Sequence, residues 1–153
     1  MLEIFSHRAT LNGVENCTES ILYYKKLGIG VELDLRYNEN NQVYLSHDPT
    51  NQGDLFEEIC KKCENSEIKM ALHIKEKEII SSVIKILKNF SLKNYFLFDT
   101  ENFEYDKFID DTKIAEYVGK KVKNSQKNIL WCDEIETKWY SKEIIKNLHE
   151  KNK

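Results

Sequence analysis

No apolar run in the 153-residue sequence approaches the roughly 20 residues that a membrane-crossing helix needs, so no membrane insertion is expected. The opening stretch MLEIFSHRAT has no basic start followed by a long apolar segment, and no export signal is expected from it. Neither sign of charge is in excess. Twenty-three basic against 26 acidic residues leave a formal charge of -3, which removes the whole-chain electrostatic case for nucleic acid or an anionic membrane surface. A phosphate-bearing partner must therefore be held locally. Cysteine is also sparse: four cysteines in a chain with five glycines and long helical patterns do not make a disulfide framework, and reduced thiols in a cytoplasmic protein are expected.

Two local features invite a special role and have plainer readings. Cys60 and Cys63 form a C-x-x-C pair, but in DLFEEICKKCEN they share helical spacing with Leu55, Phe56 and Ile59, and no second pair is near. Core-facing helix cysteines account for that pattern better than zinc or redox chemistry. The final KWYSKEIIKNLHEKNK is locally basic, yet Ile144, Ile145 and Leu148 give it the apolar stripe of a solvated helix.

The chain has 41% apolar residues, which suits one globular domain spanning 1–153. Strand and helix patterns alternate along it. LEIFS, IGVELDLRY, IKMALHIK, NYFLFD, YDKFID and KNILWCD read as strands, and the polar turn NENN followed by QVYLS reads as a small hairpin arm after the second strand. NCTESILYYKKLG, DLFEEICKKC, EIISSVIKILKNF, TKIAEYVGKKV and KWYSKEIIKNLHE read as helices. Asn16 is the expected cap of the first helix, and Gly28 its left-handed exit. This order predicts an α/β protein with a largely parallel sheet.

Polar residues recur at the carboxyl ends of these strands: His7, Glu32 with Asp34, His73 with Lys75, Asp99 and Asp133. In α/β architectures those ends form the rim where ligands bind. Glu32 and Asp34 lie two positions apart on an extended chain, so both carboxylates point to one side. Held in a partly buried mouth, they need a proton, a cationic partner or a metal. With oxygen ligands and no cysteine cluster, Mg²⁺ or Ca²⁺ fits better than structural zinc. A solvated edge face paired with Arg36 or with lysines elsewhere is the competing reading. His7 and His47 each follow an apolar strand, and a neutral and a protonated imidazole could share the two proton transfers of a phosphodiester cleavage. Asp48 could orient a histidine, Arg8 could clamp a phosphate oxygen, His73 could ligate a cation, and Lys75 could offset phosphate charge. Each could equally serve only a structural hydrogen bond or reach solvent.

The combination SHRA, ENC, GVELDLRY and QVYLSHD, in that order and spacing, resembles the amino-terminal signature of the glycerophosphodiester phosphodiesterase family: His-Arg-Gly, Glu-Asn-Thr, a Glu-x-Asp strand and a His-Asp pair. The resemblance implies a TIM-like (β/α) barrel that hydrolyses a small phosphodiester with a divalent cation, Mg²⁺ or Ca²⁺, with Mn²⁺ as a further choice. It implies catalytic roles for His7, His47, Arg8 and Lys75, and metal-side roles for Glu32, Asp34, His73 and Glu15. Several residues depart from the pattern. Ala9 stands where glycine is usual, Cys17 where threonine is usual, and His73 where a third carboxylate is usual. In the later elements Lys113 and Ala115 replace an arginine and a serine, which leaves open a weakly active or purely phosphate-binding protein. A full barrel of this kind needs about 250 residues. Six barrel strands, beginning near Ile4, Val31, Met70, Tyr95, Phe108 and Ile129, are expected, so an incomplete barrel is too, with a second copy of the chain as a candidate to cover its edges.

Overall fold

The computed structural model describes residues 3–50, 52–98, 113–118, 129–132 and 141–151. The chain divides into two compact units, Met1–Leu97 and Phe98–Lys153.

The first unit begins with a short strand, β1 (Phe5–Ser6), which runs directly into a tight helical turn at His7–Ala9. Helix α1 (Thr18–Leu27) follows. It ends as its sequence predicts: Gly28 has φ 69°, and the Ile29 amide donates to the Tyr24 carbonyl at 3.1 Å, closing the carbonyls of the last turn. Its start differs from expectation. Asn16 does not cap it; the Thr18 amide donates instead to the Asp54 carboxylate at 2.6 Å, so a distant loop supplies the anion at the helix amino terminus.

Strand β2 (Gly30–Tyr37) is the centre of this unit. It pairs in parallel with β1 and with β4 (Met70–Ile74), and antiparallel with β3 (Val43–Leu45), which is the hairpin arm read from QVYLS. Strand β5 (Tyr95–Phe98) extends the sheet beyond β4, giving the order β1-β2-β4-β5 with β3 attached to β2. Helices α2 (Phe56–Lys62) and α3 (Ile80–Asn89) lie between successive strands of that order. This strand-helix succession around parallel neighbours is the wall of a (β/α) barrel, the expected fold class. Alternation sets the two faces of β2. Val31, Leu33 and Leu35 join Ile21, Phe56, Ile59, Val83 and Leu87 in the buried core, and Glu32 and Asp34 project from the other face. Cys60 and Cys63 are free and fully buried, with burial pushing both thiols above the ordinary cysteine value, so the core reading of the C-x-x-C pair holds.

In the second unit, β6 (Ala115–Val118) pairs in parallel with β7 (Ile129–Cys132), and helix α4 (Lys142–Lys151) follows. TKIAEYVGKKV was expected to be a helix, and its described part is instead a strand. Ile114, Ala115 and Val118 fit helical spacing, but the β-branched and aromatic content of IAEYV suits a strand once a parallel partner is available. Two residues of the apolar stripe of α4, Ile144 and Ile145, are 38% and 40% exposed. Leaving out the hairpin arm, six strands occur among the described residues. The strand expected near Phe108 lies outside the described residues, as do Asp99 and Asp133. No helix among the described residues is long and apolar enough to cross a membrane.

Candidate metal and phosphate site

The register between β2 and β4 builds the site. Asp34 lies directly opposite His73, and Glu32 opposite Ala71, so two carboxylates and an imidazole emerge on one face of two paired strands. Glu32, Asp34 and His73 each offer a ligand atom, and those atoms lie within 4.8 Å of one another. Glu32 is 5% exposed and Asp34 is fully buried, which removes the solvated-edge reading of this strand face.

Asp34 is the hub. Its Oδ2 accepts from Asn16 Nδ2 at 2.9 Å and lies 3.7 Å from Arg8 Nε. Its Oδ1 lies 3.0 Å from both His73 Nδ1 and Lys75 Nζ. Neither of those two contacts has hydrogen-bond angles, so Oδ1 is a buried oxygen surrounded by positive or polarisable groups but without a directed donor. Burial alone would push the Asp34 carboxyl up, but the His73, Asn16 and Lys75 contacts together outweigh it and hold the group far below the ordinary carboxylate range. Glu32 goes the other way. Burial raises it above the usual value, the His7 charge opposes that rise, and the Asp34 charge adds to it. A pair of buried carboxylates, one firmly ionised and the other resisting ionisation, with an undirected oxygen lone pair between them, is a donor set that a divalent cation fits.

Asn16 is the functional residue that sequence reasoning placed wrongly. It is buried with φ 52°, a left-handed conformation that asparagine tolerates better than most residues. In addition to its bond to the carboxylate, its Oδ1 accepts from the Asp34 amide at 3.1 Å, so one side chain clamps both the backbone and the acid of Asp34. The signal was its position in the ENC element rather than its capping propensity. Arg8 (φ 51°) and Ala9 (φ 45°) are left-handed as well, which explains why a glycine would suit position 9 and shows that Ala9 carries the strain.

The remaining expected residues make contacts of their own. His7 Nε2 is 3.7 Å from Glu32 Oε2, with the ring 72% exposed. Glu15 is bound to Arg8, Nη1 to Oε2 at 3.3 Å, and is not one of the three clustered ligand groups. His47 Nδ1 is 3.0 Å from Asp48 Oδ1, the orienting contact expected of that pair. His47, Glu15, Asn16, Cys17, Ser46 and Asp54 are among the residues lining a cleft of about 280 Å³.

Arg36, read only as a counter-charge for Glu32 and Asp34, has a different partner. Its Nε and Nη2 both donate to the His47 carbonyl, at 3.1 and 2.9 Å, and its Nη1 meets Glu76 Oε1 at 3.1 Å. A guanidinium fork thus ties the His47 backbone to β2. Arg36→Lys keeps the charge but loses the fork, and is expected to cost about 1.5–3 kcal/mol of stability, read by urea denaturation.

Two buried carboxylates and one imidazole thus meet on one face of an α/β sheet. No family model and no curated protein matches the chain. Solved structures do. The glycerophosphodiester phosphodiesterase from Thermotoga maritima superposes with a TM-score of 0.63 at 20% identity, covering 79% of this chain and 64% of that one. That from Parabacteroides distasonis gives 0.55 at 15% identity, over 65% and 57%. That from Agrobacterium tumefaciens gives 0.54 at 15%, over 63% and 57%. The chain has the glycerophosphodiester phosphodiesterase fold and spans less than two thirds of the length of these relatives.

Proposed function

We propose that the protein hydrolyses a small phosphodiester, such as a glycerophosphodiester, with the help of a divalent cation. The observation that carries this reading is the cluster of Glu32, Asp34 and His73 around a buried Asp34 oxygen that lacks a directed donor. The likeness to the three phosphodiesterase structures supports it.

Glu32, Asp34 and His73 would hold the cation, which when bound polarises a phosphate oxygen and offsets charge in the transition state. Lys75 and Arg8 add positive charge beside Asp34 for the non-bridging oxygens. With His47 Nδ1–H donating to Asp48, Nε2 is left as the acceptor, the form that takes a proton from attacking water. His7, exposed beside Glu32, gives a proton to the alkoxide that leaves as the phosphorus–oxygen bond breaks. Water supplies the new phosphorus–oxygen bond, so the products are a phosphomonoester and an alcohol.

The test is hydrolysis of bis-p-nitrophenyl phosphate and of a glycerophosphodiester, with and without a divalent cation. Metal-dependent turnover by the parent, reduced about 10²–10⁴-fold in His7→Ala and in Glu32→Ala, is the expected result. A parent rate unaffected by both substitutions rejects the assignment, and a parent that binds cation and phosphate without turnover leaves a phosphate-binding protein.

A further inference from the structure

Resting on the reading of Glu32, Asp34 and His73 as cation ligands, we infer that this site selects a first-row transition dication, of the Mn²⁺ to Zn²⁺ range, over Mg²⁺ and Ca²⁺. The argument is one of donor type and charge. The three clustered ligand groups are two carboxylates and one imidazole, so a nitrogen donor occupies one position of the set. Mg²⁺ and Ca²⁺ are hard ions held by oxygen, and their affinity depends strongly on how many ligand charges surround them; Ca²⁺ wants six to eight oxygens. Imidazole adds no charge and suits the ions later in the first row, where affinity rises along the series toward copper.

The surroundings reinforce that bias. The Lys75 ammonium lies 3.0 Å from Asp34 Oδ1 and the Arg8 guanidinium 3.7 Å from Oδ2, so two fixed cations already draw on the same carboxylate. A hard ion that relies on carboxylate charge alone loses most from this competition. An ion that gains covalent character at a ring nitrogen loses less. His73 is the direct register partner of Asp34 on the neighbouring strand, and its Nδ1 lies 3.0 Å from Asp34 Oδ1.

Isothermal titration of the full chain, stripped with EDTA, with Co²⁺, Mn²⁺, Mg²⁺ and Ca²⁺ tests the inference without substrate. Co²⁺ is expected to bind about 100-fold more tightly than Mg²⁺ or Ca²⁺, with visible d–d bands and no sulfur-to-cobalt charge-transfer band. His73→Glu is expected to narrow the Co²⁺:Mg²⁺ ratio at least about 10-fold, and Glu32→Gln to weaken Co²⁺ binding while leaving the preference. Affinities for Mg²⁺ or Ca²⁺ within about 10-fold of Co²⁺ overturn the inference, as does a ratio unchanged in His73→Glu, or a charge-transfer band that puts the ion on a cysteine. A chain that shows the Co²⁺ preference but cleaves no phosphodiester refutes the hydrolase reading alone; one that cleaves and binds Mg²⁺ as tightly as Co²⁺ refutes this inference alone.

Discussion

Asp34→Asn is expected to lower the stability of the metal-free protein by about 3 kcal/mol and to abolish metal-dependent hydrolysis. The substitution keeps the shape and one acceptor oxygen but removes the charge around which the site is assembled. Asp34 is fully buried, and the side chains of His73 and Lys75 that meet its Oδ1 are 17% and 13% exposed. Removing one member of a buried charged group leaves the others without a counter-ion, a loss of about 3–5 kcal/mol; the lower end applies because the amide still accepts from Asn16. Against a total stability of about 5–15 kcal/mol for a domain this size, that is a large fraction. The pH dependence has a definite sign. The folded-state value of Asp34 lies below that of an unfolded aspartate, so its stabilisation is present above about pH 3.9 and lost as pH falls through the folded value. Urea denaturation in EDTA should therefore show the full parent-to-variant gap at pH 7 and a shrinking gap in acid. Equal midpoints at pH 7 would mean that Asp34 is not the electrostatic centre of the fold.

Much of this centre was legible before any coordinates. Period-two alternation in VELDLR puts Glu32 and Asp34 on one face whatever the tertiary structure, and LHIK does the same for His73 and Lys75. What alternation cannot give is register: only the pairing of β2 with β4 sets Asp34 opposite His73 rather than one position away. Asn16 was misjudged because asparagine before a helical stripe is a good cap by local rules, and its actual partner is 18 residues away. Arg36 entered only as a counter-charge in the competing reading of this strand face. Its alternation with Glu32 and Asp34 is real, but near the end of β2 its guanidinium binds the carbonyl of His47, in the loop after β3. The IAEYV strand was missed because a run this short satisfies both periods, and its parallel partner β7 decides the outcome. Local pattern therefore fixed the identity of the acids and bases here, and long-range pairing fixed their grouping.

Glu32→Gln should produce the opposite stability change from Asp34→Asn, although the two residues are neighbours on one strand face. Burial lifts the folded-state value of Glu32 above that of an unfolded glutamate, so its ionisation works against the metal-free fold. For a group raised in this way, stability is complete below the unfolded value of about pH 4.3 and is lost as pH rises through the folded value. The neutral amide escapes that loss. In EDTA at pH 7 the variant should melt above the parent, and below about pH 4 the two should converge, because the parent is then protonated in both states. Adding a divalent cation should reverse the ranking. The parent gains a charged ligand whose desolvation the cation relieves, and its melting temperature should rise with metal concentration as expected for a ligand bound only by the folded state. The amide offers no charge, so the variant should bind at least about 100-fold more weakly and show little rise over the same range. A crossing of the two melting temperatures between EDTA and saturating metal is thus the expected signature of a carboxylate kept in a strained apo state for cation binding. A variant that melts below the parent in EDTA would instead make the Glu32–His7 contact a structural one, and a parent whose melting temperature does not rise with metal would remove Glu32 from the ligand set.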